Sequence, residues 1–184
     1  MLKSSKWIKE KSEKNGLISP FVDRSVRDGV VSYGLGPYGY DIRLDKTYKK
    51  LKYKDIIISP HSVKEDYYET IENEEKIIIE PNSYILAKSY EYFKIPSQIL
   101  GIVFGKSTYA RLGIIVNVTP LEPEWSGYLT ISISNTSCNK VLLKPYQGIA
   151  QLIFLESDDL PFFTYKDLNG KYNEQKEISI SKIT

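Results

Sequence analysis

The first pattern along the chain is helical. In SSKWIKEKSEKNG, Trp7 and Ile8 give an apolar side among charged residues, Ser4 or Ser5 can cap the start, and Asn15-Gly16 supplies a stop. Beyond Pro20 the period shortens to that of strands separated by turn residues. The pattern predicts strands at VVSY from Val30, GYDIRL ending at Leu44, DIIIS from Asp55, KIIIE from Lys76 and SYILAKSYEYF from Ser83. It continues with ILGIVF from Ile99, GIIVNV from Gly113, YLTISIS from Tyr128, KVLL from Lys140 and IAQLIFLE from Ile149. Short β-branched and aromatic segments recurring about every 8–12 residues predict an all-β barrel or sandwich. No long 3.6-period segment is present, which argues against a doubly wound α/β fold. In YLTISIS, Leu129, Ile131 and Ile133 share one face, and Thr130, Ser132 and Ser134 the other. That polar face looks either to solvent or into a site.

The length of 184 residues suits one domain with a full core, and no linker or repeat divides it. The tail at 157–184 is more polar and reads as a lid or a docked arm of the same domain. No apolar run approaches a membrane span, and the N-terminus lacks an apolar signal core, so a cytoplasmic protein without membrane contact is expected. A net charge of +2 is too balanced for general nucleic-acid binding. One cysteine, Cys138, and one histidine, His61 in the polar stretch SPHSVKED, leave no ligand set for zinc. The H-x-E and P-C-x-x-C signature of zinc deaminases is absent.

Two phosphate motifs fail on context. Gly34, Gly36 and Gly39 satisfy G-x-G-x-x-G, but a strand pattern follows where the phosphate would need a helix N-terminus. GIVFGKS from Gly101 is one residue short of a Walker loop and lies in apolar strand. FGKSTYARLG is different: Lys106, Ser107, Thr108 and Arg111 follow a strand-ending glycine. One helical turn there puts Ser107 and Arg111 on the same side, a chemistry suited to a polyphosphate or to a capped surface turn. In TPLEPEW, Pro120 and Pro123 stiffen a segment carrying Glu122 and Glu124, followed by Trp125. A carboxylate held there can activate water or hold Mg²⁺, or simply mark a charged sheet edge.

The run GKSTYARLGIIVNVTPLEPEWSGYLTISISNT, followed by YQGIAQLIF, closely resembles the dCTP deaminase family of the dUTPase superfamily. SKWIKE, SYGLGPYGYDIR, EYFKIP and YKDLNGKYNEQ match that family in the same order, so the resemblance spans nearly the whole chain. It implies a distorted, jelly-roll-like β-barrel with short helices, assembled as a homotrimer with sites between subunits. It also implies deoxypyrimidine triphosphates (dCTP, dUTP and dTTP) bound with Mg²⁺ through the triphosphate, no zinc, and release of ammonia from dCTP to give dUTP. By the same resemblance Lys106, Ser107, Thr108 and Arg111 form the turn that holds phosphates and helps position water. Glu122 lies near the deoxyribose and Trp125 shapes the sugar pocket. Gln151 belongs to the shared IAQLIF motif. Tyr165, Lys171 and Gln175 match lid residues.

One position departs. The family reads W-x-G-x-x-T-L-E-x-x-N, and its glutamate is the acid/base for attack at C4; here Ser132 stands in that place, with Gly127 and Asn135 in register. A serine hydroxyl does not titrate near neutrality, and a positioned general base contributes about 10²–10⁴-fold. Three readings stay open: a dCTP deaminase with another proton carrier, such as Glu124 or a water chain; a dUTP diphosphatase using Glu122; and a nucleotide-binding protein without catalysis.

Overall fold

The computed structural model describes residues 1–53, 55–168 and 170–182. Asn169 of the YKDLNGKYNEQ stretch and residues 183 and 184 of the expected arm therefore lie outside the described residues. The elements are α1 (Ser5–Asn15), β1 (Ile18–Ser19), β2 (Ser25–Val26), β3 (Tyr33–Gly36), β4 (Gly39–Leu51), β5 (Tyr68–Glu72) and β6 (Ile77–Ile79). They continue with β7 (Ser83–Lys94), β8 (Ile99–Gly105), α2 (Ser107–Ala110), β9 (Ile114–Asn117), β10 (Ser126–Asn135), β11 (Val141–Leu143) and β12 (Gly148–Glu156).

Helix α1 ends as its sequence demands. Gly16 adopts φ 68°, and its N–H bonds to Ser12 O at 3.1 Å. Ser4 occupies the N-cap position, although its side chain makes no capping hydrogen bond. Ile8 is fully buried and Trp7 packs on Phe154, with ring centroids 5.9 Å apart.

Among the described residues, ten strands form one curled antiparallel sheet with a continuous path β2-β3-β4-β7-β10-β9. β1 joins β7, β5 joins β4, and β12 bridges β4 to β8, while β6 and β11 pair separately. The mainly β, barrel-like expectation is met. Period-two patterning explains the core: Leu129, Ile131 and Ile133 face inward from β10, against Ile85, Ala87 and Phe93 of β7 and Leu152 and Phe154 of β12.

Two strand expectations need correction. DIIIS, from Asp55, is an irregular segment whose Ile57 is almost wholly exposed. Three consecutive isoleucines carry β propensity, but no strand pairs with them, and propensity without a partner does not make a strand. VVSY is displaced, since pairing begins only at Tyr33, at the end of that run. Three short strands, β1, β2 and β5, were not anticipated, because none has a run of alternating apolar residues. The glycine motif is the β3–β4 hairpin: Gly34 pairs with Asp41 and Gly36 with Gly39, and no helix follows.

A buried polar network fastens β4 to β7. Glu91 is fully buried and accepts from Arg43 Nε at 2.6 Å, Arg43 N at 2.9 Å and Tyr40 Oη at 3.3 Å. The Arg43 guanidinium also lies over the rings of Tyr33 and Tyr90, at 5.1 and 4.5 Å. All oxygens of this buried carboxylate thus have donors, which is the condition for burying a charge.

Candidate active-site cleft

The cleft begins with an irregularity in β10. Its register against β7 shifts between Tyr128 and Thr130. The polar group freed there is met by Ser89 Oγ, which accepts from Leu129 N at 2.8 Å and donates to Glu91 O at 2.7 Å. After the shift, Ser132 lies opposite Asn117 of β9 and Leu86 of β7. Asn135 closes the strand: its Nδ2 donates to Ile79 O, Glu80 O and Asn139 O at 3.1, 3.1 and 2.7 Å. Thr130 and Ser132 of the polar face of β10 therefore border a cavity, in line with one of the two sequence readings of that face.

That cavity has a volume of about 380 Å³. Glu122, Trp125, Ser132, Tyr165 and Gln175 all border it, as do Asn117 and Thr130. The proline-stiffened segment presents Glu122 through a turn in which Trp125 N donates to Glu122 O at 3.1 Å. The neighbouring Glu124 has φ 64° and points elsewhere, into a second depression with Lys11, Lys94 and Lys166. Glu124 is thus removed as a replacement proton carrier in this cleft.

The tail forms one wall as a docked arm. Gln175 and Gly127 pair in parallel, Tyr128 N donates to Gln175 O at 2.8 Å, and Gln175 Nε2 donates to Tyr128 O and Thr130 Oγ1 at 2.9 and 2.7 Å. Ser179 N also donates to Thr130 Oγ1, at 3.0 Å. Trp125 Nε1 donates to Tyr172 O at 2.7 Å, and Tyr165 Oη accepts from Tyr172 N at 3.0 Å. Ile178 and Ile180 are buried, so apolar burial fixes this arm as well as hydrogen bonds. Lys171 is exposed and donates to Lys182 O at 3.1 Å, away from the cleft lining.

The phosphate-type turn forms as expected but does not border this cleft within one chain. α2 is a single helical turn, and Arg111 Nη1 donates to Ser107 O at 3.0 Å. Tyr109 anchors it in the core, where burial pushes its phenol up to about 12. Thr108 lies in the same turn and is exposed. Lys106 does not converge with Arg111: its ammonium makes a close ion pair with Asp41 and bonds Ser32 Oγ at 3.0 Å. Gln151 lies opposite Asp41 on β12 and is not among the residues lining the cleft.

Residues 2–157 match the family model described as dCTP deaminase-like. The chain belongs to that family. Dctp deaminase-like relatives run the full length of the chain: the protein named dCTP deaminase from Acidobacterium capsulatum is 45% identical over 183 residues, covering 99% of both chains. The dCTP deaminase of Herpetosiphon aurantiacus is 44% identical over 183 residues, again with 99% of each covered. Among solved structures, the 2′-deoxycytidine 5′-triphosphate deaminase of Agrobacterium tumefaciens superposes with a TM-score of 0.65 at 13% identity. That match covers 85% of this chain and 48% of the other, and is a likeness of fold.

Sequence reading missed two side chains of the cleft lining. Tyr68 of β5 and Tyr84 of β7 border the cavity with their hydroxyls 3.3 Å apart. Burial, and then the bond to Tyr84, raises the Tyr68 phenol well above its ordinary value. Alternation along SYILAKSYEYF puts Tyr84 on the face of Leu86, a signal present in the sequence. Tyr68 gave none, because its strand was not anticipated.

Proposed function

We propose that this chain binds a deoxypyrimidine triphosphate with its Mg²⁺ ion and converts dCTP and water to dUTP and ammonia. The reading is carried by one observation: the cleft gathers Glu122, Trp125, Ser132, Tyr165 and Gln175 from three separate stretches of a dCTP deaminase-like chain. Trp125 offers a flat apolar wall for the deoxyribose. Glu122 is the one carboxylate bordering the cavity among the described residues. A lone carboxylate fits a metal ion that arrives bound to the triphosphate, where the ion would neutralise phosphate charge.

The turn at Lys106, Ser107, Thr108 and Arg111 would then reach the cleft of a neighbouring copy in a homotrimer. Phe104, Leu112 and Ile115 flank that turn and are each about half exposed, as an interface not yet buried would require. Ser107 and Arg111 supply hydroxyl and guanidinium donors for phosphate oxygens there. In this arrangement Lys106 holds the turn to β4 through Asp41.

Ser132 favours a second reading, dUTP diphosphatase. Attack on phosphorus needs a base beside the phosphates, which Glu122 can supply, and no acid beside the pyrimidine. The deciding experiment supplies dCTP and dUTP separately with Mg²⁺ and follows nucleotides, ammonia and pyrophosphate. Ammonia and dUTP from dCTP are expected. Formation of dUMP and pyrophosphate from dUTP would replace this reading with the second, and tight binding without turnover would replace both.

A further inference from the structure

Deamination at C4 moves two protons from water to the substrate. The water oxygen bonds to C4 while one proton goes to N3. The C4–N4 bond then breaks with its electron pair on nitrogen, and the second proton leaves the new C4 hydroxyl for that nitrogen, giving ammonia. Overall charge does not change. A group that accepts and donates in the same event therefore suffices, whereas a group that must hold a full charge is not required.

The cleft that Ser132 borders is lined by further hydroxyls of this kind, on Tyr68, Tyr84, Thr119 and Thr130, with Glu122 its one carboxylate among the described residues. Ser134 lies opposite Tyr84 in the β10–β7 register and Ser132 lies opposite Leu86, so Tyr84 and Ser132 are diagonal neighbours facing one cavity. Diagonal neighbours on a sheet sit about 7–8 Å apart, within the span of a tyrosine and one small group between. Tyr84 Oη is in turn bonded to Tyr68 Oη at 3.3 Å. Glu122 comes from the separate TPLEPEW turn, and Glu124 is outside the cavity.

Resting on the deaminase reading above, we infer that Tyr84, backed by Tyr68, forms with Ser132 a neutral hydroxyl relay that carries protons from the attacking water to N3 and to the departing amine. Each hydroxyl gives up one proton and takes one, and ends as it began. Burial keeps Tyr68 protonated throughout, so it serves as a donor and acceptor and never as a fixed anion.

The test compares the full-length wild type with Tyr84→Phe and Tyr68→Phe, following ammonia from dCTP with Mg²⁺. Tyr84→Phe should lower kcat tenfold or more with KM within about twofold, since a positioned proton-transfer group contributes roughly 10²–10⁴-fold. Tyr68→Phe should lower it less. The wild-type kcat should be level between about pH 6 and 9, because a neutral hydroxyl relay needs no group to change its charge. It should also show a curved dependence on the D₂O fraction, reporting more than one proton in flight. Wild-type turnover with Tyr84→Phe unchanged, or a unit slope in that pH range, overturns the relay and leaves the deaminase reading intact. No ammonia from the wild type overturns both. Should Tyr84→Phe fail to fold, by circular dichroism, Tyr68→Phe decides alone: unchanged kcat in that folded variant defeats the relay.

Discussion

Ser132 occupies a firmly held place in the sheet. Its backbone is held by pairing to Asn117 on one side and Leu86 on the other, and Asn135 fixes the strand end three residues on. A longer acid at this position would project into the same cavity. Ser132→Glu should therefore raise ammonia release from dCTP by tenfold or more, because a carboxyl near the pyrimidine can shuttle the protons directly. The check is an ammonia assay on a variant whose dCTP affinity is retained; no gain there would show that the missing acid is not the limiting feature. Ser132 stood out in the sequence because the family that the chain resembles carries a glutamate at that spacing from Trp125 and Gly127. The role of Glu124 was not legible there, since residues two apart in an irregular turn with positive φ do not follow strand alternation.

At the scale of elements, the cleft depends on the arm closing against β10. Gly127 makes this possible: at φ 150° an added Cβ would stand 2.8 Å from Gln175 N, closer than any ordinary contact. Gly127→Ala should cost about 1–3 kcal/mol through backbone strain alone and push the arm outward. Thermal unfolding should fall, and Trp125 fluorescence should shift as its bond to Tyr172 O opens. A variant with unchanged melting and unchanged fluorescence would contradict this account of the arm. The strands with long alternating patterns were readable beforehand, and so was the single turn of α2. Two-residue strands such as β1 and β2 were not, because they exist only through tertiary pairing with β7 and β3. DIIIS erred in the opposite sense, with strong local propensity and no partner.

At the scale of the whole molecule, the turn at Ser107–Ala110 does not border the cleft of its own chain, and the proposed function therefore has it act on the cleft of a second copy. Arg111→Ala and Glu122→Gln chains should each bind and turn over dCTP poorly. Unfolded together and refolded, a shared-site assembly recombines them, and about a quarter of the sites receive both intact residues. Recovered activity in the mixture, absent from either variant refolded alone, is the expected result; no recovery would place the whole site in one chain. The sequence showed both halves but not their separation, which is set by the curl of the sheet between α2 and β10. One wall of the cleft has a further meaning. Trp125, Leu129, Gln175, Ile178 and Ile180 are buried parts of the packed interior as well as its lining or support. Their packing keeps the shape of the cavity independent of the side chain at position 132, so the pocket and the chemistry inside it are separable properties of this fold.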